Sequence, residues 1–269
     1  MKKLREQKKE IEKMHALIAQ LNEELESKVK QRTEELTLAL SKERELSDLK
    51  SRFISIASHE FRTPLSAILS SVSLIGKYVD SHDQVKRDKH ILRIRSAVNN
   101  LTNILNEFLS LGKIEEGKTQ VHMVEFNLKE QVQLVINEIK PILKEKQIIH
   151  YTHSGVELVN LDITLVRNIL INLISNAIKF SPDHSIIEVM TRFEAGIISL
   201  QVKDHGLGIP EDDMKHLFER FFRGTNVTNI QGTGLGLHIV SRYVELMGGT
   251  ISVESQIEKG TTFTIKFIS

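Results

Sequence analysis

At 269 residues, with 26% charged and 40% hydrophobic residues and a formal net charge of +1, the chain has material for about two compact domains and an extension. The near-neutral balance argues against a nucleic-acid-binding surface built on bulk positive charge, and the lack of Cys excludes disulfides and thiolate metal sites, which fits a reducing, cytoplasmic setting. No apolar run approaches the roughly 18 residues of a membrane span, and no apolar segment follows Met1-Lys2-Lys3-Leu4-Arg5, so no membrane contact is expected within this chain.

Residues 1–50 have no Gly or Pro and are dense in Lys, Glu, Gln and Leu. Ile11, Met14, Ile18, Leu21 and Leu25 follow the 3-4 spacing of a coiled-coil seam. The frame then places Lys28, Arg32 and Glu35 at core positions, while Val29, Leu36 and Leu40 form an offset stripe. It recovers with Ala39, Leu46, Leu49, Phe53 and Ile56, as a stutter does. Such a segment is either a loosely packed connector or a rod that transmits a rotation or shift.

The recovered frame runs into Ser58-His59-Glu60-Phe61-Arg62-Thr63-Pro64-Leu65 and puts His59 beside the seam, open to solvent. This helix is expected to continue through Leu65, Ile68, Leu69, Val72 and Ile75 and to end near 76–83. A second amphipathic helix, about 84–115, carries Ile91, Ile94, Val98, Leu101, Leu105, Phe108 and Leu109. A lone helical hairpin covers its apolar face poorly, so two hairpins are expected to pair as a four-helix bundle in a homodimer. The hairpin domain spans 51–117.

From 118 to 269 the pattern becomes that of an α/β sandwich, one sheet with helices on one face. Strands are predicted at 122–126, 148–153, 156–161, 186–193, 197–203, 250–255 and 261–268, and helices at about 128–146, 162–179, 211–221 and 235–247. Glu194-Ala195-Gly196 and Glu258-Lys259-Gly260 read as hairpin turns.

Three motifs carry chemistry. An imidazole acts as nucleophile when one ring nitrogen is free and the other is held by a partner, and Glu60 is placed to hold it. Thr63 lies one turn on and can position a water, while Pro64 deprives the Glu60 carbonyl of its helical donor and should bend the helix. In Asn172-Leu173-Ile174-Ser175-Asn176-Ala177-Ile178-Lys179-Phe180 two amides share one face of an otherwise apolar helix. Amide oxygens suit Mg²⁺, Lys179 suits phosphate, and Phe180 can lie along adenine; two surface amides would look the same.

Asp204-His205-Gly206-Leu207-Gly208 puts a carboxylate at a strand end, where it can accept an adenine amine. Gly206 and Gly208 allow a tight turn beside it. Gly232-Thr233-Gly234-Leu235-Gly236 leads into a helix start that favours phosphate. Either glycine pair alone can be a plain turn. Between them, Phe218-Glu219-Arg220-Phe221-Phe222-Arg223 and the polar stretch 224–231 read as a mobile lid. Arg220 and Arg223 either reach phosphates or are solvated, and Thr262 on the last strand is grouped with the same pocket.

Taken in order, the His59, Asn172–Phe180, Asp204, Phe218 and Gly232 segments resemble the five motifs of sensor histidine kinases of two-component signalling, over about residues 50–269. The resemblance implies a dimeric phosphoacceptor domain followed by a Bergerat-type ATP-binding domain. It also implies that ATP and Mg²⁺ are bound, with Asn176 as metal ligand, Asn172 near it and Asp204 on adenine. His59 would receive the γ-phosphate, Glu60 would act as base, and Thr63 would assist reverse dephosphorylation of the partner. The helical start resembles the signalling helices that follow sensory modules. His205 and His238 depart from the family pattern. No acidic receiver pocket is seen, so the acceptor aspartate is expected on a separate response regulator receiver domain. Two other classes remain: a non-catalytic scaffold, which the intact motifs disfavour, and a gyrase- or chaperone-type ATPase. The latter would need a hydrolytic glutamate where Arg167 and Asn168 stand.

Overall fold

The computed structural model describes residues 2–78, 80–227, 230 and 232–268. Helix α1, Lys2–Ile75, crosses from one compact unit, Met1–Ser55, into a second, Ile56–Ser269. In the first unit Ile11, Met14, Ile18, Leu21 and Leu25 are exposed along the helix, as are Val29, Leu36 and Leu40. Where the seam slips, Arg32 pairs with Glu35 at 2.8 Å, and the hydroxyls of Thr33 and Thr37 donate to carbonyls one turn back. The side chains of Leu46 and Leu49 lie outside the described residues.

In the second unit, the rest of α1 and helix α2, Gln84–Glu115, form the hairpin. The assigned helix runs through Pro64, so the lost hydrogen bond does not end it. Leu65, Leu69 and Val72 of α1, and Ile91, Val98, Leu105 and Leu109 of α2, stay exposed on this single hairpin. The end of α2 behaves differently: Leu111 and Ile114 are buried in the core that the following sheet shares.

That core lies between helices α3 (Leu128–Ile139), α4 (Ile163–Phe180) and α6 (Gly236–Leu246) and one face of a five-stranded sheet. The strands are β2 (Ile148–Gly155), β4 (Ile186–Glu194), β5 (Ile197–Lys203), β6 (Thr250–Gln256) and β7 (Gly260–Ile268), in the order β2-β4-β5-β7-β6. Among the described residues only β2 and β4 run parallel; the other pairs are antiparallel, and β1 (Val124–Asn127) with β3 (Leu158–Leu161) makes a separate antiparallel ribbon. Strict alternation buries Ile187 and Val189, Ile198, Leu200 and Val202, and Phe263, Ile265 and Phe267 on the helix side. The β4–β5 turn has φ of 50° and 75° at Ala195 and Gly196, the left-handed pair of a tight hairpin.

Asp162 caps α4 by accepting the N–H groups of Thr164 and Leu165 on one carboxylate oxygen and that of His122 on the other. Helix α4 is long and apolar enough to cross a membrane, contrary to the sequence expectation. It is instead the central core helix, with Val166, Ile169, Leu170 and Ile174 fully buried.

The helix expected at 211–221 shrinks to α5, Glu211–Met214. Tertiary bonds outcompete it: the buried Asp213 carboxylate accepts both the N–H and the hydroxyl of Thr225, and Phe221 adopts a φ of 62° while its N–H bonds to Gly234.

Candidate functional site

His59 is exposed, its side chain 72% accessible, whereas the adjacent Glu60 carboxylate is 3% accessible and lies 3.3 Å from the ring Nδ1. With the carboxylate as acceptor, Nδ1 carries the proton and Nε2 keeps its lone pair toward solvent. The Thr63 hydroxyl donates to the His59 carbonyl across 3.3 Å, a long bond readily exchanged for a water.

The second element is a cleft of about 1100 Å³, its open side included, between α4, the glycine segments and the 218–230 connection. Asn172, Asn176, Lys179, Phe180, Asp204, Gly208, Gly232, Thr233, Gly234 and Gly236 all line it. Gly206, Arg220, Leu235 and Thr262 do not. Gly206 packs against α4, where an added Cβ would stand 2.4 Å from the Phe180 carbonyl oxygen, and Leu235 is fully buried. Arg220 turns to Glu115 at 2.5 Å, while Arg223 faces the cleft and donates to the Ile230 carbonyl. On β7 the lining residues are Thr261 and Phe263; Thr262 points to the opposite face, one residue out of phase. Within the expected lid, Thr225–Val227 form a 3₁₀ turn, and Thr228, Asn229 and Gln231 lie outside the described residues.

In the cleft wall Asp204 is buried, and its Oδ1 accepts the N–H groups of Gly206 and Thr261 at 2.9 and 3.2 Å. Burial pushes its carboxyl up, and those two donors pull it part of the way back. Gly260 makes this placement possible: its φ is 105°, and a Cβ there would meet the Asp204 carbonyl oxygen at 2.0 Å. Gly260→Ala is expected to destabilise the chain by about 2–5 kcal/mol through strain and overpacking, measured by denaturant unfolding. A loss well under 1 kcal/mol would show that the β6–β7 turn relaxes freely.

Lys179, also in the cleft wall, is half-buried, its ammonium 4.9 Å from the Phe180 ring centroid. Burial, and next the nearby Arg223 cation, push its ammonium below the ordinary lysine range, while Glu107 and Glu60 oppose the shift. Two cations crowded in one cleft suit a polyanion. A Cβ on Gly232 would stand 2.7 Å from Lys179 Nζ, so the glycine loop closes directly over that cation. The Asn172 amide nitrogen donates to the Asn168 carbonyl, which leaves its oxygen facing Gly236 at the start of α6. With the Asn176 amide lining the same wall, hard neutral oxygens sit beside the cations, a donor set that fits Mg²⁺ carried by phosphates.

Sequence reasoning missed Glu107, Ser175, Asn226 and Thr261. Glu107 came from the hairpin, where nothing in the spacing marked it. The two atypical histidines stay out of the cleft: His205 Nε2 meets Glu188 at 3.1 Å, and His238 Nδ1 meets the Phe218 carbonyl at 2.9 Å.

Comparison with known proteins follows the same division. Residues 49–117 match the His Kinase A (phospho-acceptor) domain, and residues 161–268 match the histidine kinase-, DNA gyrase B- and HSP90-like ATPase domain. The chain is 34% identical over 221 residues to the autoinducer 2 sensor kinase/phosphatase LuxQ of Vibrio vulnificus, covering 78% of this chain and 25% of LuxQ. It is 34% identical over 230 residues to the sensor histidine kinase RcsC of Escherichia coli K12, covering 82% and 23%. It is 32% identical over 247 residues to the circadian input-output histidine kinase CikA of Synechococcus elongatus, covering 90% and 33%. The chain thus spans a quarter to a third of the length of these relatives. Among solved structures, the Acinetobacter baumannii histidine kinase AdeS superposes with a TM-score of 0.59 at 25% identity, covering 78% of this chain and 97% of AdeS. The phosphoacceptor hairpin, the ATPase fold that follows it and these relatives together place the chain among the sensor histidine kinases of two-component signalling.

Proposed function

We propose that this chain phosphorylates its own His59 from Mg-ATP and passes the phosphoryl group to an aspartate of a response regulator receiver domain. The observation that carries this reading is the pairing, in one unit, of an exposed imidazole held by a buried carboxylate with a cleft lined by two facing amides, the glycine loop, the Asp204 carboxylate and the Lys179 and Arg223 cations. Asp204 accepts the exocyclic amine of adenine with the carboxylate oxygen its backbone donors leave over, and Phe180 lies along the base. Lys179, Arg223 and the N–H groups of the 232–236 loop bind phosphates. Asn176, with Asn172 beside it, would hold Mg²⁺, which when bound neutralises phosphate charge.

The Nε2 lone pair of His59 attacks the γ-phosphorus, the bond to the β–γ bridging oxygen breaks, and ADP leaves. Glu60 takes the Nδ1 proton, so the imidazole ring ends uncharged and the transferred phosphoryl group keeps its negative charge. Positioning and charge neutralisation supply most of the acceleration. In the reverse sense, the Thr63 hydroxyl can release the His59 carbonyl and orient a water for dephosphorylation of the receiver. A second copy covers the exposed stripe of Leu65, Leu69, Val72, Val98, Leu105 and Leu109, which gives a homodimer with a four-helix bundle. Residues 1–50 act as the coiled-coil signalling helix, 51–117 as the phosphoacceptor domain and 118–269 as the kinase domain, all in the cytoplasm, where ATP is supplied.

Asn176→Asp tests the nucleotide side. It places a fixed negative charge among the phosphates, and labelling of the protein from γ-labelled ATP and Mg²⁺ should fall at least about 100-fold, roughly 2.7 kcal/mol of transition-state stabilisation. Labelling within twofold of wild type would sink the assignment of Asn176.

A further inference from the structure

Glu107 is the only acidic residue besides Asp204 that lines the cleft among the described residues, and it belongs to the hairpin. It accepts a hydrogen bond from the Thr233 hydroxyl, and that same hydroxyl accepts the N–H of Leu235 in the glycine loop. Its charge is felt by Lys179, as is that of Arg223. The carboxylate therefore stands among the groups expected to receive phosphate: the loop hydroxyl, the loop N–H groups and the lysine. Burial pushes its carboxyl up, while the Thr233 hydroxyl and the Lys179 cation oppose that shift. Eight residues on, along the same face of α2, Glu115 pairs with Arg220, and Leu111 and Ile114 between them are buried in the shared core. The end of α2 is thus clamped onto the ATPase domain at two polar points with an apolar contact between.

We propose that Glu107 is a gate for the phosphate subsite: its carboxylate holds the glycine loop against α2, and the phosphates of ATP must displace it. This inference rests on the nucleotide reading of the cleft. A carboxylate and a polyphosphate cannot share Thr233 and Lys179, because like charges at hydrogen-bonding separation repel strongly in a partly desolvated site. Nucleotide binding and hairpin docking therefore compete, and by linkage each weakens the other by the same factor. ATP then does two things at once: it fills the cleft and releases the glycine-loop end of the clamp, which frees the domain to turn its nucleotide toward His59. Adenosine, which has no phosphate, leaves the gate shut.

The test is calorimetric titration of the 269-residue chain with a non-hydrolysable ATP analogue and, separately, with adenosine. Wild type is compared with Glu107→Ala and Glu107→Gln; the second keeps the side-chain size and its contact with the Thr233 hydroxyl while removing the charge. Both variants should bind the ATP analogue more tightly, Glu107→Ala by about 5- to 100-fold, the range of ordinary coupling energies. Adenosine affinity should stay within about twofold of wild type, since no competitor is removed at the base. An unchanged ATP-to-adenosine ratio in both variants would overturn the gate, and so would weaker binding of the ATP analogue, which would make Glu107 a contributor to the site. Failure of wild type to bind either ligand would instead overturn the nucleotide reading itself.

Discussion

His59→Gln is expected to abolish phosphorylation of the chain by γ-labelled ATP while leaving ATP affinity within about twofold of wild type. Glutamine has no nucleophilic ring nitrogen, but it preserves a polar, helix-compatible side chain at an exposed position, so neither the hairpin nor the cleft is disturbed. The separation of the two readouts matters. An ATPase of the gyrase or chaperone kind would hydrolyse ATP equally well with either residue, and a scaffold would show no label in wild type. Label persisting on the Gln variant would mean that another of the 11 histidines is the acceptor. Glu60→Gln should give an intermediate result. The amide can still contact Nδ1 but cannot take its proton, so the expected loss is about 10²–10⁴-fold in rate.

Asp204→Asn should weaken ATP and adenosine binding together, by about 10- to 100-fold. The buried carboxylate spends Oδ1 on the N–H groups of Gly206 and Thr261. An amide that keeps its oxygen toward those donors turns an NH₂ toward the adenine amine, donor against donor, which forfeits a charge-assisted bond and leaves a buried group unmatched. Equal losses for the two ligands locate the contact at the base, whereas a loss confined to ATP would place Asp204 at the phosphates and contradict the orientation proposed for the nucleotide. The same contact gives a pH dependence. Burial raises the Asp204 carboxyl, so protonation removes the acceptor at a higher pH than for an ordinary aspartate. Adenosine affinity should therefore decline on acidification before exposed carboxylates titrate. The Asn variant should lack that decline.

Much of this architecture was legible because local pattern and tertiary outcome agree. The 3-4 apolar spacing gave both hairpin helices nearly to the residue, and the Asn172–Phe180 segment declared itself because two amides interrupt an otherwise apolar helix. The sheet strands followed from alternation, since one face is packed and the other is wet. What stayed hidden was decided by contacts distant in sequence. The 211–221 helix failed because Asp213 finds better donors in Thr225 than in a continuing turn, and the positive φ at Phe221 depends on a bond to Gly234. Thr262 was chosen over Thr261 by a single residue, and in a strand one residue exchanges the cleft wall for the opposite face. Arg220 and Arg223 were equivalent in sequence until the structure gave one to Glu115 and the other to the cleft. Glu107 was the hardest to see, because its partner Thr233 lies 126 residues away and a polar residue on an amphipathic helix ordinarily faces water.

The central claim is that a phosphoryl group moves from ATP to His59. The most direct measurement incubates the wild-type chain with γ-labelled ATP and Mg²⁺, divides the product between acid and alkali, and maps the surviving phosphate by mass spectrometry. A phosphoimidazole is labile in acid and stable in alkali, so the account predicts label lost in acid, retained in alkali and located on the peptide containing His59. Acid-stable label on a hydroxyl side chain, or no label from a chain that demonstrably binds ATP, would contradict it.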